Sequence, residues 1–308
     1  MGALEDREEL TEISQEDREG MDHKTCKGLL KTGKKLADTV IADRLYGTLK
    51  TEEDKSRAAL FLSNANGGTV FMDSAMGMAN DRYFGEHAFV CAARMKLGVG
   101  SADEAPGPFR VCGCGIAFPA GTNPFHGISC RLNHNYRTFC HTEINGLLYN
   151  LLKKLCPHAV IGKEKEVGRM AVGPNGHAAA VRADIVAAIG PITYVIDVST
   201  TDPCCRVALD LVPSSADNQG AAAKDRERTK RHHYRKVVTP LPIPDGNVVP
   251  FVIETTGRLG PGAMQFLLLV CPTQTFMRSR FLNGVAMIVN KYNGKCLLAT
   301  RDRFRQNL

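Results

Sequence analysis

The apolar positions change their spacing about a third of the way along the chain. Before residue 99 they recur intermittently with helical period, as Leu29, Leu30, Leu36, Val40 and Ile41 and then Ala58, Ala59, Leu60 and Leu62. Residues 99–111 (VGSADEAPGPFRV) are rich in Gly and Pro and predict a linker. From residue 134 onward helical and strand patterns alternate. Within 141–156, Ile144, Leu147, Leu148, Leu151, Leu152 and Leu155 recur at spacings of three and four, which predicts an amphipathic helix ended by Pro157. A short strand near 159–166, a hairpin over 179–198, a polar loop and a basic helix at about 220–237 follow. A strand at 249–255, an apolar helix at 261–271 and one or two helices beyond Thr273 complete the pattern.

The hairpin carries the first candidate chemistry. In VRADIVAAIGPITYVIDVST two runs of Val, Ile, Ala and Tyr flank Gly190-Pro191, and Gly at the first central position suits a tight primed turn. A turn centred there pairs residues whose numbers sum to 381, as those of Asp184 and Asp197 do. Directly opposed side chains lie about 4.5–5.5 Å apart on one face. Two carboxylates at that distance, among apolar neighbours, repel unless one is protonated, water reaches them or a cation bridges them. Mg²⁺ (or Mn²⁺) meets the need, taking one or two carboxylates and keeping water or phosphate oxygens. The plainer reading is two aspartates on a solvated sheet face.

The helix after the hairpin reads KDRERTKRHHYRK over 224–236. Lys230 and Tyr234 are i, i+4 neighbours, with Lys224 nearly two turns earlier. A right-handed crossover would pack this helix on the sheet that bears both aspartates. There Lys230 would offset charge on a phosphate in transit; an ordinary lysine on such a helix faces solvent.

Composition limits the classes. The chain has 308 residues, 44% hydrophobic and 23% charged, ordinary for a globular fold. No run approaches the roughly 20 apolar residues of a membrane span. Residues 1–24 are acidic and polar, which predicts disorder and neither a secretory signal nor a transit peptide, so the chain is expected in the nucleus or cytoplasm. The net charge of +7 is concentrated in 224–236 and 278–308, as a polyphosphate partner favours. The eleven cysteines are expected to be reduced. Cys26, Cys91, Cys140, Cys156, Cys271 and Cys296 read as small core residues. Cys112-x-Cys114, eleven residues, then His126-x3-Cys130 offers three thiolates and an imidazole, the donor set of a closed structural Zn²⁺ site. A flexible cysteine-bearing loop is the alternative.

Taken in order, C-x-C…H-x3-C, a histidine opening a helix (His141), R-x-D-x12-D, K-x3-Y and a strand ending VPFVIETTGRLGPGA resemble the C-terminal region of non-LTR retrotransposon polyproteins of the CRE and SLACS kind. That region carries a zinc knuckle and a restriction-like endonuclease, and the resemblance runs through about 105–271. It implies an α/β (α+β) fold similar to PD-(D/E)XK nucleases, a central mixed sheet flanked by helices. The implied layout is a helical segment at 25–104, a knuckle at 105–133 and the endonuclease at 134–308. It also implies roles: Asp184 and Asp197 as ligands of Mg²⁺, Lys230 as the catalytic lysine displaced onto a helix and Tyr234 as its companion. Glu166, or Glu164, takes the place of an accessory acid, and Cys112, Cys114, His126 and Cys130 hold Zn²⁺. The role of Glu254 is left open. Ala183 stands where the family has proline, which removes no ligand. The implied partners are DNA and the element's RNA, with no membrane, and a reverse transcriptase is expected in the full-length polyprotein. The implied activity is nicking of target DNA; the alternative is a nucleic-acid-binding remnant that no longer cuts.

Overall fold

The computed structural model describes residues 125–172, 177–212, 214–237 and 244–306, together with Glu86–Lys96, 109–112, 114, 117–119 and positions 55, 58–60 and 62–63. All fall within one compact unit, Leu49–Leu308. The acidic stretch 1–24 and the periodic positions Leu29 to Ile41 lie outside the described residues, as does Cys26.

The architecture is mixed α/β, a four-stranded mixed sheet with helices on both faces. Helix α1 (Glu86–Lys96) precedes a small antiparallel hairpin of β1 (Phe109–Val111) and β2 (Ala117–Pro119), a single turn α2 (His126–Ser129) and the long α3 (His134–Leu155). Strands β3 (Val160–Val172), β4 (His177–Ile189) and β5 (Ile192–Thr201) form an antiparallel meander. After the short α4 (Arg206–Leu209) and the basic α5 (Ala221–Arg235), β6 (Val248–Glu254) returns parallel to β5, giving the order β3-β4-β5-β6. Helices α6 (Pro261–Val270) and α7 (Thr275–Gln306) follow.

Local chemistry explains the elements. Gly190 turns the β4–β5 hairpin at φ 59°, and the pairs run from Ile189↔Ile192 to Ile185↔Ile196 in the register that such a turn sets. Strand β6 is buried at every residue because helices cover both its faces, which is why it reads as an unbroken apolar run. Pro250, with no N–H to give, is tolerated because β6 is the last strand of the sheet.

One face of the sheet packs Ile185, Ile196, Phe251 and Ile253 against Ile144, Leu148 and Leu152 of α3, Phe266 and Leu267 of α6, and Phe281 and Val285 of α7. The other packs Val195 and Val248 against Tyr234 of α5. A second cluster joins Ala58, Ala59 and Leu60, Cys91 and Met95 of α1, Phe125, Ile128 and Leu297 of α7. No described helix is long and apolar enough to cross a membrane.

Three sequence expectations change. Helix α3 starts at His134, so His141 lies about two turns inside it rather than opening it; Tyr136 and Cys140 carry the stripe of Ile144 and Leu148 back into the first two turns and pack in the same core. The predicted linker ends in strand β1, whose pairing with β2 a three-residue segment cannot signal. Strand β3 has 13 residues, because β4 pairs with it well beyond the end of β5. Of the one or two helices expected beyond Thr273 there is one, of 32 residues, in which Gly284 and Gly294 face Leu147 and Ala88 and so serve packing instead of interrupting the helix.

Candidate functional site

Strands β4 and β5 cease to pair one position short of Asp184 and Asp197. In place of a ladder bond, the backbone N–H of Val198 donates to Asp184 Oδ2 at 2.6 Å, which brings that carboxylate beside the Asp197 backbone. The same oxygen lies 3.1 Å from His141 Nε2 of α3. Asp197 is buried, and both its oxygens receive Lys230 Nζ of α5, at 2.8 and 3.0 Å. Tyr234, one turn further along α5, is buried with its hydroxyl 3.4 Å from the Arg182 carbonyl, within the field of Asp197. The two acids are therefore neighbours across the hairpin that reach toward different helices, Asp184 toward α3 and Asp197 toward α5.

The backbone is irregular at this point. Ile185 and Ala187 pack beneath α3, whereas Val181 and Ala183, which a regular strand would place on that same face, pack with Tyr234 and Val195. Opposite Asp184 on β3, Glu164 drops out of the ladder and adopts φ 50°, left-handed backbone that is uncommon for a residue with a side chain. Irregularities of this kind re-aim side chains next to active sites.

The fields agree with the geometry. The hydrogen bond to Asp184 chiefly raises the proton affinity of His141; burial opposes it, and Asp184, Asp197 and Glu164 add to the rise through their charge. Burial, followed by the negative charges of Asp197 and Asp184, holds the proton on Tyr234. Of the two accessory-acid candidates, Glu164 is thus the one whose charge reaches this cluster. Glu166 is exposed, with Oε1 3.4 Å from Arg169 Nε.

Glu254 has a structural place. It is buried at the end of β6, accepts a short hydrogen bond from Ser63 and faces the Ala223 N–H at 3.4 Å, tying the first turn of α5 to the sheet. His141 is the residue whose part sequence reasoning missed. The signal was its position three residues before Ile144 and seven before Leu148, on the stripe that faces the sheet.

The second cluster is the Cys/His set. Cys112 follows β1, Cys114 lies in the turn toward β2, His126 opens α2 and Cys130 follows it. Their four donor atoms all lie within 4.8 Å of one another. Cys112 Sγ is 3.6 Å from Cys130 Sγ, and Cys114 Sγ is 3.3 Å from His126 Nε2. A tetrahedral zinc ion at ordinary bond lengths would separate its donors by roughly 3.5–3.8 Å, close to these edges. The cysteines are buried, and no disulfide joins them. Burial, with the neighbouring Cys130, pushes the Cys112 thiol up to about 11, a cost that a bound cation would reverse. Burial and the positive charge of Arg303 lower the pKa of His126, favouring the neutral imidazole that binds metals.

Asn133 secures this cluster to the rest of the fold. Fully buried, it donates to the carbonyls of Gly127 at 2.6 Å and Cys296 at 3.0 Å, and accepts from Arg303 at 2.6 Å. Among known proteins, no family model matches the chain and no curated protein is significantly similar to it.

Proposed function

We propose that the chain is a divalent-metal-dependent DNA endonuclease module with a restriction-like, PD-(D/E)XK type of site and a structural zinc knuckle, as the retrotransposon resemblance implies. The observation that carries the reading is the pair Asp184 and Asp197 beside the break in the hairpin ladder, with Lys230 on both oxygens of Asp197 and Tyr234 buried nearby. The donor chemistry fits Mg²⁺, since Asp184 and Asp197 are hard oxygen ligands and Asp197 already engages a cation, the Lys230 ammonium. When bound, the metal would polarise the scissile phosphate.

The residues of the chain do the rest. Lys230, on a flexible stem, swings from Asp197 toward the phosphate, where it orients the attacking water and offsets developing charge. Tyr234 braces Asp197 from below, and His141 holds Asp184 in place. Cys112, Cys114, His126 and Cys130 would hold Zn²⁺ and build a surface for nucleic acid beside the cutting site.

The test is nicking of supercoiled plasmid with Mg²⁺, with and without EDTA. Asp184→Ala and Asp197→Ala are expected to abolish nicking while leaving the circular dichroism spectrum and zinc content unchanged. An Asp197→Ala protein that cuts at the wild-type rate would end the proposal. The exposed cations of α5 and its C-cap (Lys224, Arg228, Arg235 and Lys236) also favour a second reading, a module that binds nucleic acid without cutting it. Salt-sensitive plasmid binding with no Mg²⁺-dependent nicking would select that reading.

A further inference from the structure

Glu227 is a buried carboxylate to which the mechanism assigns no part. Its Oε1 accepts the Gly262 N–H at 2.9 Å, and the Ala263 N–H next along the helix also favours the ionised carboxylate. Those groups belong to the first turn of α6, whose N-cap is Gly260 and which has no side-chain cap of its own. A helix begins with backbone N–H groups that lack partners inside the helix and that favour a negative charge. Here the charge comes from another helix.

The surrounding sequence leaves room for it. A Cβ on Gly260 would collide with Glu227 Oε1 and stand 3.2 Å from Ala223 Cβ; one on Gly262 would stand 3.1 Å from Oε2. The two glycines that flank Pro261 in LGPGA thus occupy the space which the carboxylate requires.

On α5, Glu227 lies three residues before Lys230 and seven before Tyr234, so all three share one side of the helix. We propose that Glu227 is a positioning residue, clamping α5 to the start of α6 and so fixing where Lys230 and Tyr234 stand against Asp197. This rests on the endonuclease reading for its catalytic consequence, although the clamp itself does not. Lys230 reaches Asp197 through a flexible stem, so the register of α5 decides whether the ammonium meets both oxygens. A misplacement of about 1 Å at a reacting group can cost a hundredfold in rate.

The experiment uses the full chain and three variants, Glu227→Ala, Glu227→Gln and Gly262→Ala. Two readouts are independent of cutting: amide exchange at Gly262 and Ala263, and acylation of Lys230 by an amine-reactive reagent in metal-free protein, located by mass spectrometry. The third is plasmid nicking resolved into kcat and KM. Glu227→Ala is expected to speed exchange at both amides, raise Lys230 labelling severalfold and lower kcat by roughly 10–100-fold, with KM within twofold. Glu227→Gln keeps an acceptor oxygen and is expected to restore most of each.

Gly262→Ala leaves every proposed catalytic residue in place, pushes on the carboxylate and is expected to raise Lys230 labelling. It also serves as the probe if Glu227→Ala does not fold. Wild-type Lys230 labelling in Glu227→Ala, or in Gly262→Ala when that variant stands in, overturns the proposal. So does a loss of kcat that Glu227→Gln fails to repair. If the wild-type chain does not nick plasmid, the endonuclease reading fails, while labelling and exchange still decide whether Glu227 positions α5.

Discussion

Asp202 shows how much one buried side chain contributes to the behaviour of this fold. It follows the last residue of β5, five residues after Asp197, and is buried, with Oδ1 accepting the Cys204 N–H at 3.0 Å while the Thr255 hydroxyl lies 3.4 Å away. Its Oδ2 has no partner among the described residues. Burial therefore dominates and pushes the carboxyl up to about 6, against an ordinary value of 3.8. The folded state holds this proton more tightly than the unfolded chain does. The resulting stability is fully present below about 3.8 and is lost as the pH rises through about 6. Urea unfolding from pH 4 to 8 is expected to show wild type losing stability relative to Asp202→Asn between about 4 and 6, with a constant difference above about 7. A difference that does not vary with pH would show that Asp202 is ionised normally.

At the scale of elements, the two interior glycines of α7 make opposite demands. Replacing a mid-helix glycine by alanine ordinarily favours the helix by about 1 kcal/mol. At Gly284 the new methyl would meet Leu147 Cδ2 at 2.9 Å, the far end of a side chain that can rotate away. At Gly294 it would overlap the Ala88 carbonyl oxygen and stand 2.8 Å from the carbonyl carbon, backbone of α1 that has no rotamer to change. Overpacking of a rigid contact costs about 1–3 kcal/mol. Thermal melts are therefore expected to show Gly284→Ala near or above the wild-type Tm and Gly294→Ala several degrees below it. Equal melting temperatures would mean that α1 does not pack on α7 at this crossing.

For the molecule as a whole, the Cys/His cluster is built into the fold. Phe125 and Ile128, beside two of its donors, belong to the cluster that also contains Leu60, Met95 and Leu297, and Asn133 bridges from there to α7 just before α3 begins. A zinc ion there would stabilise this end of the domain, since its binding energy is folding energy. Elemental analysis is expected to find about one zinc per chain. Chelation, or Cys130→Ser, is expected to lower both zinc content and Tm. Nicking would fall as well, even with Mg²⁺ supplied, because α3 carries His141 to Asp184. A metal-free chain that melts at the same temperature would remove zinc from the account.

Much of this was legible in the chain itself. The basic run of α5 and the apolar runs of β6 and α6 placed those elements to within a residue or two, and Gly190-Pro191 determined the hairpin register through the local geometry of a tight turn. The Cys/His spacing gathered its four donors because all lie within 19 consecutive residues. Distant contacts had no such signature. That His141 would reach Asp184, that the charge of Glu164 would act on His141, and that Glu227 would occupy the space beside Gly260 and Gly262 was decided only when α3, β3 and α6 docked on the sheet. Local sequence governs the repeat and the turn, whereas a hydrogen bond across elements depends on how two packed surfaces come to rest. No spacing along one segment encodes that.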